Sequence, residues 1–282
     1  MIEKSVLCMN KRGFHRMAYT EWGPRDADRT VVCVHGLTRN GRDFDLLAEA
    51  MASAGWRVVC PDVVGRGRSD WLGDPRGYAQ PQYMADLATL IARLDVEAVD
   101  WVGTSMGGIA GMLLAAMPGT PIRRLVVNDV GPFIPKAALE RIAGYVGGDP
   151  RFDDVAGLEA HLRRVQAGFG DLTDAQWRHM AEHSARPVEG KLALGYDPAI
   201  ASGFTPGAME DLDIWGAWDR IKALVLALRG TESDLLLPAT AAEMTRRGPK
   251  ATVVEIARCG HAPALMDADQ IATVRGWLAE QG

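Results

Sequence analysis

In the stretch Val99–Met117, VDWVGTSMGGIAGMLLAAM, a serine stands where packing has no use for a hydroxyl. A run of β-formers ends at Gly103, Ser105 follows two residues on, and a Gly/Ala-rich helical run begins at once. In a strand–Gly-x-Ser-x-Gly–helix turn, side chains two residues either side of the serine would collide. Gly103 and Gly107 meet that need, and the serine is pushed out above the sheet. The start of the following helix favours negative charge developing there. The chemistry these residues suit is nucleophilic attack by Ser105.

A serine hydroxyl attacks only when a base takes its proton, so a histidine is required. Of six histidines, His261 in ARCGHAPAL lies just beyond the last predicted strand and ahead of the final helix, between Gly260 and Pro263. That position is the carboxyl edge of the sheet. His35 also follows a strand, but beside Gly36 it reads as holding its loop by hydrogen bonds. His15, His161, His179 and His183 fall in the first hairpin or in a helical insertion.

The base needs a carboxylate to fix its tautomer and stabilise the imidazolium. Asp234, in LRGTESDLLLP after the penultimate strand, is the first choice, and Asp129, in VVNDVGP after the strand that follows the nucleophile helix, is its rival. Asp62 in CPDVVGRGRSD reads as a loop-shaping residue. Two backbone N–H groups must face the oxyanion of a tetrahedral intermediate. Position assigns them to Met106, after the nucleophile, and to Leu37 in HGLTRN. Trp71, Trp177, Trp215 and Trp218 are candidates to line an apolar substrate cleft, or else pin the insertion to the core.

These residues need a scaffold. Ser5–Asn10 and His15–Trp22, joined by NKRG, predict a β-hairpin with Gly13 at positive φ. TVVCVHG, RVVCPD, AVDWVG, RRLVVND, ALVLALRG and ATVVEIA predict further strands. Most are continuous apolar runs, the pattern of parallel strands buried on both faces. FDLLAEAMASAG, closed by Gly55, and YMADLATLIARLD read as helices between them. The alternation predicts an α/β, doubly wound, mostly parallel sheet. It stops between Pro132 and Trp218, where the chain reads as helical: KAALERIAGYVG, VAGLEAHLRRVQAGFG, TDAQWRHMAEHSA and PGAMEDLDIWGAWDRI. Residues 132–218 are therefore expected as a helical cap inserted into a core of 1–131 and 219–282.

Bulk composition narrows the partners. A formal charge of −5 and the lack of a long like-charge block argue against nucleic-acid binding. Cys8, Cys33, Cys60 and Cys259 have no metal-ligand or CxxC spacing and read as buried reduced thiols. Without a signal-peptide pattern or a membrane-length apolar run, a cytoplasmic monomer or homodimer is expected. HMAEH, His179 to His183, matches one metalloprotease pattern, but it lies in the expected cap with no third ligand apparent, so a solvated helix face is the better reading.

The chain resembles the α/β-hydrolases. VHGLT resembles that family's oxyanion loop, PDVVGRGRSD the loop after its next strand, GTSMGG its nucleophile elbow, GTESDLL its acid turn and GHAP its histidine loop. The order Ser105, Asp234, His261 follows the family's chain order, and by resemblance the insertion is its cap. Serine at the elbow sets the chain apart from the dehalogenases and epoxide hydrolases, which carry aspartate there, and from dienelactone-type hydrolases, which carry cysteine. The resemblance implies a cofactor-independent serine hydrolase of a small or medium carboxylic ester or lactone, with short hydroxyacid-ester or polyester oligomers among the options. The alternatives are C–C bond hydrolysis of vinylogous diketones and a non-turnover ligand receptor on the same fold.

Overall fold

The computed structural model describes residues 1–204 and 209–280. The hairpin forms as predicted from β1 (Ile2–Asn10) and β2 (Gly13–Trp22). Then come β3 (Thr30–Val34), α1 (Asp45–Ala52), β4 (Arg57–Pro61), α2 (Gln80–Leu94), β5 (Val99–Thr104), α3 (Met106–Ala115) and β6 (Ile122–Asn128). After the insertion the alternation resumes with β11 (Leu224–Gly230), α8 (Pro238–Met244), β12 (Thr252–Ile256) and α9 (Ala268–Glu280). Eight strands form one sheet in the order β1-β2-β4-β3-β5-β6-β11-β12. Pairing is antiparallel from β1 to β4 and parallel from β4 to β12.

The continuous apolar runs serve both faces of this sheet. Val32 and Val34 of β3, Trp101 of β5 and Leu125 and Val127 of β6 pack with Leu87 and Leu90 of α2 and Met112 of α3. Their neighbours Val31, Cys33, Val102 and Val126 pack on the other side with Leu47 and Met51 of α1 and Val274 and Leu278 of α9. Side chains alternate along a strand, so covering both faces with helices demands apolar residues at every position. All four cysteines are buried free thiols. Among the described residues no helix is long and apolar enough to cross a membrane.

Between β6 and β11 the chain leaves the sheet. It forms β7 (Phe133–Ile134), α4 (Lys136–Ala143), α5 (Val155–Val165), α6 (Asp174–Ser184), β8 (Ala185–Val188), β9 (Lys191–Leu194), β10 (Leu212–Asp213) and α7 (Trp215–Trp218). The expectation of an all-helical segment is corrected here. β8 and β9 pair as an antiparallel hairpin across Glu189-Gly190, both at positive φ (49° and 80°). That two-residue turn matches the twist of the flanking strands. The last predicted helix shrinks to α7 and the short pairing of β10 with β7; its Pro206, Gly207 and Ala208 lie outside the described residues.

Candidate active site

The elbow is built by sterics. Ser105 stands alone between β5 and α3 at φ 51°, ψ −114°. A side chain in that region is strained and persists only where its surroundings hold it. A Cβ on Gly103 would lie 2.3 Å from the Gly107 carbonyl oxygen, and one on Gly107 would lie 2.1 Å from that of Val34. No larger residue fits either place. The Ser105 N–H donates to the Asn128 carbonyl at 3.0 Å, tying the elbow to β6.

His261 reaches this serine from the loop after β12. Its Nε2 lies 2.9 Å from Ser105 Oγ, and its Nδ1 lies 2.8 Å from Oδ2 of Asp129. An ionised carboxylate only accepts, so Nδ1 carries the proton and Nε2 is free to accept from the serine. Asp129, immediately after β6, is fully buried. It accepts also from the Gly230 N–H at 2.8 Å and from the Ser233 hydroxyl at 2.6 Å, so the buried charge meets three donors.

Asp234, the first choice from the sequence, does not meet His261. The turn after β11 instead points Ser233 inward at Asp129 and leaves the Asp234 side chain 50 % exposed. Asp234 pairs with Arg141 of α4, Oδ2 to Nε at 2.5 Å and Oδ1 to Nη2 at 2.8 Å. Burial pushes its carboxyl up, and the hydrogen bonds and charge of Arg141 more than cancel this, holding it below its usual range. The rival position, Asp129, is the one the structure brings to the histidine.

The loops expected to supply the oxyanion donors come close to the serine. Met106 opens α3, and a Cβ on Gly36, next to Leu37, would stand 3.8 Å from the Ser105 Cβ. His35 orients this loop. The Val63 N–H donates to its Nε2 at 2.9 Å, so its Nδ1–H donates to the Gly36 carbonyl at 2.7 Å. In a trans peptide N–H and C=O point oppositely, so anchoring that oxygen aims the Leu37 N–H the other way. Complete burial pushes the His35 pKa down to about 3, keeping the ring neutral for this bond. Its sequence reading as a loop-holding residue agrees.

A cleft of about 60 Å³ opens over Ser105 and His261, room for about four waters. Phe44 of the core and Ile142, Tyr145, Val165 and Phe169 of the insertion supply apolar lining. The four tryptophans proposed for the cleft do not line it. Trp71 is exposed beneath Arg186, and Trp177 is buried among Leu158, Leu162 and Met180. Trp218 is fully buried with its Nε1 donating to the Arg247 carbonyl at 2.9 Å, and Trp215 packs edge-on against it. These indoles serve packing, as the bland alternative had it.

The profile of the alpha/beta hydrolase family matches residues 31–274. This chain belongs to the alpha/beta hydrolase family. It is 48 % identical over 276 residues to the 3-hydroxybutyrate-oligomer hydrolase of Cupriavidus necator, covering 95 % of this chain and 94 % of that one. Among solved structures, a protein from Rickettsia typhi is 30 % identical with a TM-score of 0.94, each chain covered completely. An alpha/beta hydrolase from Novosphingobium aromaticivorans is 35 % identical with a TM-score of 0.85, 99 % of each chain covered.

Some residues around this hydrolase site escaped the sequence. Asn128 donates from Nδ2 to the Thr104 hydroxyl at 3.0 Å and to the Pro263 carbonyl at 2.7 Å, joining the elbow to the histidine loop. The cleft is also lined by two arginines, Arg39 and Arg141, and by Gln166, whose Oε1 is buried without a hydrogen-bond partner among the described residues. Nothing in local pattern marks these, because their partners lie far along the chain. HMAEH gains a third group in the fold: His179, His183 and the buried Asp45 hold ligand atoms within 4.8 Å of one another. However, Arg42 donates from Nε to both Asp45 oxygens, at 2.9 and 2.7 Å, setting a cation against the carboxylate that a metal would need. His179 Nε2 lies 3.1 Å from the Arg42 carbonyl and 3.4 Å from Asp45, which makes this a contact between α6 and the core.

Proposed function

We propose that this alpha/beta hydrolase is a serine ester hydrolase acting on short linear 3-hydroxyalkanoate oligomers. The observation that carries the reading is the unbroken chain from Ser105 Oγ through His261 to the buried Asp129. The long, nearly full-length similarity to a 3-hydroxybutyrate-oligomer hydrolase supports the substrate class.

In this reading Ser105 Oγ attacks the ester carbonyl while His261 Nε2 takes its proton. Asp129 keeps the Nδ1 proton and stabilises the imidazolium. The Met106 and Leu37 N–H groups receive the oxyanion. The acyl–oxygen bond then breaks, the alcohol departs with the proton from Nε2, and Ser105 carries the acyl group. Water gives a proton to His261 as it attacks this acyl-enzyme, and the acid leaves as Ser105 regains its hydrogen. Residues 132–218 act as a cap over a core of 1–131 and 219–282. Lactones present the same acyl–oxygen bond and fall within the same chemistry.

The test is to incubate the protein with linear 3-hydroxybutyrate dimer and trimer and quantify released 3-hydroxybutyrate by chromatography. The reading expects release by the wild type and none above background from Ser105→Ala. A folded wild type that releases none, while hydrolysing simple esters, would overturn the substrate class.

A further inference from the structure

The cleft holds two guanidinium groups in very different states. Arg39 is sealed: its side chain is 6 % exposed, bound to Asp43 at 2.7 and 2.5 Å and to the Ser184 hydroxyl at 3.0 Å. Asp43 lines the same cleft, so this pair is neutral and self-contained. Pulling Asp43 off it would strand a largely buried carboxylate, which is costly.

Arg141 is the opposite case. It lines the cleft with Ser105 and His261, yet its anion, Asp234, stands outside that lining on the loop after β11. Both partners are open to solvent, the side chains 43 % and 50 % exposed. A pair this exposed is within reach of another anion and costs far less to part than a buried one. Asp234 holds Arg141 through two parallel N–H···O bonds, the fork geometry that any carboxylate reproduces. Tyr145, from the same insertion, places its hydroxyl beside that guanidinium and lines the cleft.

We propose that Arg141 is the subsite for the free carboxylate at the acid end of the substrate, with Asp234 as an intramolecular stand-in that the substrate displaces. This rests on the reading above that the substrate is a linear hydroxyacid oligomer, since each such chain ends in one carboxylate. The exchange trades one carboxylate for another on the same fork and releases Asp234 to water. Arg141 thereby anchors the chain end, and the ester cleaved is the one a fixed reach from it. The enzyme takes oligomers from the carboxyl end and disfavours those whose end is capped. Arg141 touches no reacting atom; it sets specificity.

The experiment compares 3-hydroxybutyrate dimer with its methyl ester in two readouts. The first is kcat/KM of the wild type, Arg141→Gln and Arg141→Lys. The second is the Kd of both compounds for Ser105→Ala protein with and without Arg141→Gln, by calorimetry, which needs no turnover. The subsite predicts that the wild type prefers the acid, and that Arg141→Gln cuts the acid-to-methyl-ester ratio by about tenfold to a hundredfold, the size of a lost charge-assisted pair. The loss falls mainly on KM, and Lys regains part of it. Asp234→Asn, which removes the competing anion, lowers KM for the acid. An acid-to-ester ratio in both readouts that is the same with and without Arg141 would overturn the subsite, whatever the turnover. A carboxylate preference in Kd that depends on Arg141, in a protein that cleaves neither compound, would uphold the subsite and sink the oligomer reading instead.

Discussion

The Ser233 hydroxyl donates at 2.6 Å to Oδ2 of Asp129, the same oxygen that accepts from Nδ1 of His261. One carboxylate oxygen thus serves both the base and a serine from the turn that also carries Asp234. Ser233 in turn accepts from the Leu235 and Leu236 N–H groups at 3.2 and 3.1 Å, so its hydrogen is committed to Asp129.

Ser233→Ala removes a donor from a buried anion, a loss of about 1.5–3 kcal/mol for a bond to a charged group. The Asp129 carboxylate keeps only two of the three donors that fix it against Nδ1 of His261. Turnover of p-nitrophenyl butyrate should fall roughly tenfold, the rate equivalent of about 1.4 kcal/mol of lost positioning. Turnover equal to the wild type would make Ser233 a packing residue only.

Gly107→Ala forces a methyl group to within 2.1 Å of the Val34 carbonyl oxygen. Backbone atoms on both sides cannot yield, so the elbow must distort. A loss of roughly 3 kcal/mol or more in denaturant unfolding is expected. A Tm equal to the wild type would contradict the steric account of the elbow.

His35 links the loop after β3 to pH. Its folded pKa is pushed down to about 3 by burial, from an ordinary 6.5. Between those values the unfolded chain binds a proton that the native state refuses, so stability rises with pH. As pH falls from 6.5 toward 3, this group removes up to about 1.4 kcal/mol per pH unit. Urea unfolding at stepped pH should show a shallower acid slope in His35→Asn than in the wild type. Parallel slopes would refute the buried neutral histidine.

The legible parts of this sequence are those enforced locally. Strands buried on both faces demand apolar residues at each position, so VVCV, VVC and LVLAL mark β3, β4 and β11. The elbow demands glycine at 103 and 107, which exposes Ser105, and position alone finds His261. The acid was ambiguous because Asp129 and Asp234 both follow strands that neighbour each other, β6 and β11. What separates them is whether Ser233 or Asp234 turns inward, a matter of side-chain direction within one turn. The β8–β9 hairpin carried a readable two-residue turn, overshadowed by the helical stretches around it. Arg141 carried no signal: an arginine on an amphipathic helix reads as solvated until the fold brings α4 to the cleft.

Asp129 completes the path from Ser105 through His261. The most direct test of its role is kcat on p-nitrophenyl butyrate for Asp129→Asn beside Asp234→Asn, both checked for folding by circular dichroism. Replacing the acid turns the histidine toward the wrong tautomer, a loss on the order of 10⁴ where it has been measured in such triads. Asp129→Asn is expected to fall at least about a hundredfold below Asp234→Asn. If Asp234→Asn is instead the inactive protein while Asp129→Asn turns over, the path drawn through Asp129 is wrong.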